Sequence, residues 1–269
     1  MYAFAYHRPA SLSEARALFA GAADPLFLAG GQTLIPTLKQ RLRQPSDVID
    51  LAALAELRGV EVSGQTVTVG AMTCHADVAA HADIRRLIPA LAHLAGGIGD
   101  PQVRNCGTLG GSIANADPAA DYPAAVLGLG ATVHTTARAI AAGDFFTGLF
   151  ETALAPGEVI LRVGFPVPRR AAYAKFRNPA SRYAVAGVFV AETDAGVRVA
   201  VTGAGPFVFR HAEMEAALAA SFTPRALAGI SIPADGLNDD LHATAAYRAH
   251  LVGVMAARAV ASIVSLGRA

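Results

Sequence analysis

Apolar and polar positions along the chain change period at two places, and the changes divide it into three stretches. In the first, residues 11–19 (SLSEARALF) read as a helix, with Ser11 three positions before Glu14 in the spacing of a capping box. Short apolar runs at Pro25–Leu28 and at residues 47–51 read as strands, and residues 34–42 between them have helical spacing. These segments predict a small βαβ-like unit. From Gly59 the pattern alternates. Val60, Val62, Val67 and Val69 flank Ser63-Gly64-Gln65, the signature of a hairpin. Residues 75–93 return to helical spacing and end at Gly96-Gly97. Residues 119–129 predict another helix, and residues 132–136 and 159–167 predict strands. Pro166 and Pro168 then interrupt the chain.

The third stretch holds strand-like runs at residues 172–176, 184–192 and 197–202, then helical runs at 211–220 and about 240–264. Successive strands joined by short turns predict an antiparallel sheet with helices on one side. The expected division is therefore 1–58, 59–168 and 169–269, in an α+β chain with a mixed α/β middle part.

Two glycine-dense segments interrupt this pattern. In the first, the strand ending at Leu28 runs into Ala29-Gly30-Gly31-Gln32-Thr33 and then into a helix. Such a junction offers free backbone N–H groups and the positive end of a helix dipole to an anion. In the second, Gly107-Thr108-Leu109-Gly110-Gly111-Ser112 reads as a turn whose successive amides could converge on one anion, with hydroxyls from Thr108 and Ser112 as further donors. The two together suit a diphosphate gripped from both sides. Neither holds Gly-Lys-Ser/Thr, and neither is GxGxxG.

Composition narrows the functional classes. A net charge of +1 supplies no basic field for nucleic acid or anionic lipid. The apolar fraction of 53% is carried largely by small residues, so it fits a soluble chain. The N-terminal residues lack the order of a signal peptide, which makes the expected location cytoplasmic. The apolar run at 251–266 is interrupted by Arg258 and suits a buried or subunit-facing helix better than a membrane span. Two cysteines, Cys74 and Cys106, cannot supply an iron–sulfur cluster that needs four thiolates, so any such centre belongs to another polypeptide.

Other candidate residues yield weaker chemistry. Asp117-Pro118 reads as a helix cap followed by proline at the first helical position. Asp121, one turn further on, is then free to accept from a ribose hydroxyl. Cys106 has no histidine fixed beside it, the histidines are scattered into surface or capping roles, and Ser112 lacks the glycine two places on that a nucleophile elbow requires. Gly203-Ala204-Gly205 imitates a dinucleotide fingerprint, but Val208 stands where a third small residue is needed, so it reads as a turn.

Ala29–Thr33 taken with the run from Arg104 to Asp121 (RNCGTLGGSIANADPAAD) resembles the FAD-binding medium subunits of molybdenum hydroxylases, the group that includes carbon monoxide dehydrogenase and xanthine dehydrogenase-like enzymes. Further echoes are Asp144–Gly148, Pro156-Gly157-Glu158, Tyr173–Phe176 and Ala180–Tyr183. The resemblance implies a PCMH-type fold with FAD held between the first two parts. It places Ala29, Gly30, Gly31, Gln32, Thr33, Thr108, Gly110, Gly111 and Ser112 at the diphosphate, and Asn115 and Asp121 at nearby polar groups. Ile160, Lys175 and Tyr183 would lie near the rings. Many members carry His where Gln32 stands and Ser where Thr33 stands. The resemblance also implies partners, a large molybdopterin-binding subunit and a small [2Fe-2S] subunit in a dimer of heterotrimers, and a relay role with no catalytic acid, base or nucleophile here. The rival expectations are a stand-alone flavin oxidase or reductase and a flavin-free assembly subunit.

Overall fold

The protein is described by a computed structural model, and residues 1–266 are the ones it describes. Three parallel strands begin it: β1 (Ala5–His7), β2 (Pro25–Leu28) and β3 (Asp47–Asp50), in the order β1-β3-β2. They are linked by α1 (Leu12–Gly21) and α2 (Leu34–Lys39). Ser11 caps α1 by accepting from the Glu14 N–H, and the Glu14 carboxylate accepts from the Ala10 N–H, so the capping box forms with its return bond one residue early. β1 has no counterpart among the elements expected from the sequence, because three exposed or half-buried residues show no period.

The middle of the chain builds a five-stranded antiparallel sheet, β4 (Val60–Ser63), β5 (Thr66–Gly70), β6 (Thr132–Thr135), β7 (Ala139–Ala141) and β10 (Ile160–Pro166), in the order β4-β5-β10-β6-β7. Between β7 and β10 lie the short helix α9 (Ala142–Phe145) and the hairpin of β8 (Phe146–Gly148) and β9 (Glu151–Thr152). The predicted helix over 75–93 is three helices: α3 (His75–Ala80), α4 (Ala82–Leu87) and α5 (Pro89–Gly96). His81 is extended and uses Nδ1 to cap α4, while Pro89 can only open a helix. Apolar spacing persists through both breaks, and so the period alone conceals them.

Two more helices stand where the sequence suggests turn: α6 (Pro101–Cys106), capped by Asp100, and α7 (Leu109–Asn115), capped by Thr108. The glycine-rich segment is therefore the first turn of a helix. The expected Asp117 cap is corrected in turn. Its Oδ1 accepts from the Ala119 N–H in a single turn, and α8 (Tyr122–Leu129) begins four residues later than Pro118.

The last part is an antiparallel sheet, β11 (Arg170–Arg177), β12 (Ala184–Thr193), β13 (Gly196–Thr202) and β14 (Phe209–Arg210), paired in chain order. α10 (Ala212–Ala220) and α11 (Ala245–Leu266) pack on one face. Helices do not stay on that side, however. Val188 and Val190 of β12 join the core under α11, while the alternating Phe189 and Ala191 join the core that contains α5 and α8. Both faces are covered, which explains why β12 is almost continuously buried. α11 begins near Ala245 rather than 240. By length and composition it could cross a membrane, but half of its most apolar stretch is buried inside the fold, as expected of a core helix.

Candidate cofactor-binding site

The two glycine segments meet. A Cβ on Gly30 would lie 2.2 Å from the Cys106 carbonyl oxygen and 2.7 Å from the Gly107 Cα, and one on Gly111 would lie 3.2 Å from the Ala29 Cβ. Glycine at 30 is thus required by close backbone approach. Gly31 has φ +70°, the left-handed conformation that turns the chain from β2 into α2. Both segments line one cavity of about 710 Å³.

What each segment offers that cavity differs. In the second, the Leu109 N–H donates to the Thr73 carbonyl, Gly110 to Ala71, Gly111 to the Thr108 hydroxyl and Ser112 to the Thr108 carbonyl. Successive amides therefore do not converge on a ligand, as the sequence suggested; they dock the turn onto the chain leaving β5. Gly110 lacks a side chain for the same reason, since a Cβ there would fall 2.6 Å from the Ala71 Cβ. In the first segment, the amides of Gly31, Gln32 and Thr33 donate to no acceptor among the described residues, and Gln32 makes only a 3.4 Å bond from Nε2 to the Gly30 carbonyl. The open donors lie mostly on the first segment; in the second only the Thr108 N–H has no acceptor among the described residues.

Of the residues expected at the cofactor, Ala29, Gly30, Gly31, Gln32, Thr33, Thr108, Gly110, Gly111, Ser112, Asn115, Asp121, Ile160 and Tyr183 all line this cavity. Lys175 does not. It stands behind Asp121, with Nζ 2.8 Å from Asp121 Oδ2 and 2.9 Å from the Arg182 carbonyl. Asp121 is correspondingly not free: its other oxygen accepts from the Tyr173 hydroxyl, and the residue is buried. Burial raises the Asp121 carboxyl above its ordinary pKa, against the pull of Lys175, Tyr173 and Arg177 toward the charged form.

The wall that carries Asp121 is held by the last sheet. The Gly203 N–H donates to the Pro118 carbonyl and the Ala184 N–H to Ala119, while the single Thr202 O–H is shared between the Ala120 carbonyl at 2.6 Å and the Pro118 carbonyl at 2.9 Å. Three consecutive carbonyls without a ladder of their own, those of Pro118, Ala119 and Ala120, thereby find partners. Gly187 makes room for the Tyr173 hydroxyl, which a Cβ there would meet at 2.4 Å. The Gly203 segment is indeed a turn, with φ +81°. The loop after β11 then adds Ser181, Arg182 and Tyr183 to the cavity.

His75 was missed. Rather than a surface residue, it is buried at the cavity wall beneath Gly107, whose Cβ would come within 2.6 Å of Nε2. Burial, aided by Arg104, lowers its pKa to about 4, so the ring is neutral near pH 7. Its Nδ1 has no hydrogen-bond partner among the described residues. Nothing in a lone histidine at a helix start announces this.

Comparison with known proteins fits the cavity. Residues 2–168 match the family model described as FAD binding domain in molybdopterin dehydrogenase. The chain belongs to this family. It is 34% identical to the carbon monoxide dehydrogenase medium chain of Hydrogenophaga pseudoflava, with 96% of each chain covered. It is 37% identical to the glyceraldehyde dehydrogenase medium chain of Sulfolobus acidocaldarius, covering 79% of each. Among solved structures, a chain of the cyanide-inactivated Cu,Mo-CO dehydrogenase superposes with a TM-score of 0.90 at 31% identity, covering 98% of this chain and 99% of that one. The fold is accordingly the PCMH-type fold expected from the sequence, and the cofactor of the family is FAD.

The residues present suit that cofactor. The uncommitted amides of the first segment can receive a diphosphate, and the Thr108 and Ser112 side chains border the same cavity.

Proposed function

We propose that this chain is the flavoprotein electron-transfer subunit of a multi-subunit molybdenum hydroxylase. In that reading FAD supplies the redox chemistry, exchanging electrons between a partner's iron–sulfur clusters and an external acceptor, and the protein supplies position and electrostatics. The single observation that carries it is the convergence of the two glycine segments on one cavity in a chain of this family. Residues 29–33 would hold the diphosphate through backbone amides, and the Thr108 and Ser112 hydroxyls would meet it from the other side. Asn115 would bind a polar group of the cofactor, while Ile160 and Tyr183 would border its rings. Asp121 would orient polar groups only through the proton-donating network of Tyr173 and Lys175.

The partners in this reading are a large molybdopterin-binding subunit and a small [2Fe-2S] subunit, in a dimer of heterotrimers in the cytoplasm. Two cysteines per chain support the assignment of the clusters elsewhere. The relatives act on different substrates by name, carbon monoxide and glyceraldehyde, which supports placing substrate choice outside this subunit. A division at 59 and 169 belongs to the same proposal, supported by three hydrophobic clusters centred on the successive sheets.

The test is reconstitution. The purified chain should take up one FAD yet turn over slowly with substrates and dyes, and should gain activity when assembled with both partners. Substrate turnover by the FAD-loaded chain alone at the rate of the assembly would favour a stand-alone oxidase and overturn the relay.

A further inference from the structure

On the far side of Lys175 from the large cavity lies a second, smaller one of about 200 Å³. Lys175 and Arg177 of β11, His93 and Gly97 at the end of α5, and Arg258 of α11 surround it, together with apolar groups and Tyr173. No Asp or Glu among the described residues lines it. We propose that this cavity binds an oxyanion of the phosphate class.

The charge arrangement is the first support. Lys175 is neutralised by Asp121, but it is a three-proton donor and spends only two, on Asp121 and the Arg182 carbonyl. Arg177 and Arg258 make no ion pair among the described residues. Both guanidinium groups line one concavity without such a partner, Arg177 feeling Asp121 only from beyond salt-bridge distance, and a bound anion can accept hydrogen bonds from both. The end of α5 attracts one cation through its dipole. Gly97 lets Arg177 lie close there, with its Nη2 3.4 Å from where a Cβ would be. That attraction does not account for Arg258, which reaches the cavity from a different helix.

Size supplies the second support. The space exceeds several water molecules, each with a share of about 30 Å³ in the liquid. It falls below the roughly 300–1,000 Å³ of sites that enclose a whole drug-sized molecule. A single phosphate group fits, either free or at the end of a larger compound.

Calorimetric titration of the FAD-saturated full-length chain tests this, with inorganic phosphate and a nucleoside monophosphate as separate probes and chloride held at matched ionic strength. Saturable binding of one phosphate per chain is expected, weakened at least tenfold by Arg258→Gln and by Arg177→Gln, and unchanged by Arg16→Gln on α1, which lines neither cavity. Tighter binding of the nucleotide would identify a phosphomonoester as the source, and equal or weaker binding would identify the free anion. Both arginines are exposed, so the variants should fold, which an unchanged melting temperature would verify. Absence of saturable binding with either probe, or binding undiminished in both arginine variants, overturns the proposal.

Discussion

The two glycine segments look alike in sequence and do opposite things with their backbones. Residues 29–33 turn from β2 into α2 and leave amides without acceptors among the described residues. Residues 109–112 commit theirs to Thr73, Ala71 and Thr108, and the Thr108 N–H alone of that segment has no acceptor among the described residues. Glycine serves the first as conformational freedom at Gly31 and as clearance at Gly30. In the second it serves packing, because Gly110 lies directly on Ala71. A glycine-rich loop is thus not in itself a cradle of donors. The decisive question is where its N–H groups already go.

The largest expected effect probes the floor of the second segment. Between pH 6.5 and about 4 the unfolded chain protonates His75 while the folded chain keeps it neutral, so stability falls as pH falls through that window and levels off below about 4. The full loss is on the order of 3 kcal/mol. His75→Gln should flatten the pH dependence of denaturant unfolding over this range by close to one proton, and an unchanged slope would contradict the burial of a neutral ring.

Gly110→Ala comes next. It should destabilise the apoprotein by roughly 1–3 kcal/mol through overpacking against Ala71, lowering the melting temperature before any flavin is added. Were apo stability intact and only FAD content reduced, the two segments would be the same kind of site after all. Thr108→Ala removes a helix cap and should cost about 1 kcal/mol in the same assay. At the small end, Gln32→Ala touches an exposed side chain and should move apo stability by less than about 0.5 kcal/mol. It should nevertheless weaken FAD binding several-fold, measured by equilibrium dialysis, because that position faces the cavity from the open segment.

Much of this was legible in the sequence, and the failures share one character. The capping box, β2 into the first glycine turn, the hairpin around Gly64 and the strand pairs of the last sheet depend on neighbours within a few residues, and they form as expected. Asp117 had a local signal that misled. Asp100-Pro101 caps a helix, while Asp117-Pro118 spends the same chemistry on one turn because the last sheet captures the backbone that follows. Lys175 and Asp121 were both expected at the cofactor, and only their contact across 54 positions shows that one holds the other.

By itself, the sequence determined that two glycine-dense segments interrupt the apolar pattern, that the chain carries no cluster of four thiolates, and that its apolar periods give mixed and antiparallel sheets. Periods and caps are short-range, and a linear chain records them. Tertiary structure alone decided which amides remain open, that both faces of the last sheet are covered, and that His75 is buried and neutral. Hydrogen-bond partners, burial and the resulting shift in proton affinity are properties of groups brought together from distant positions, and no local period encodes them.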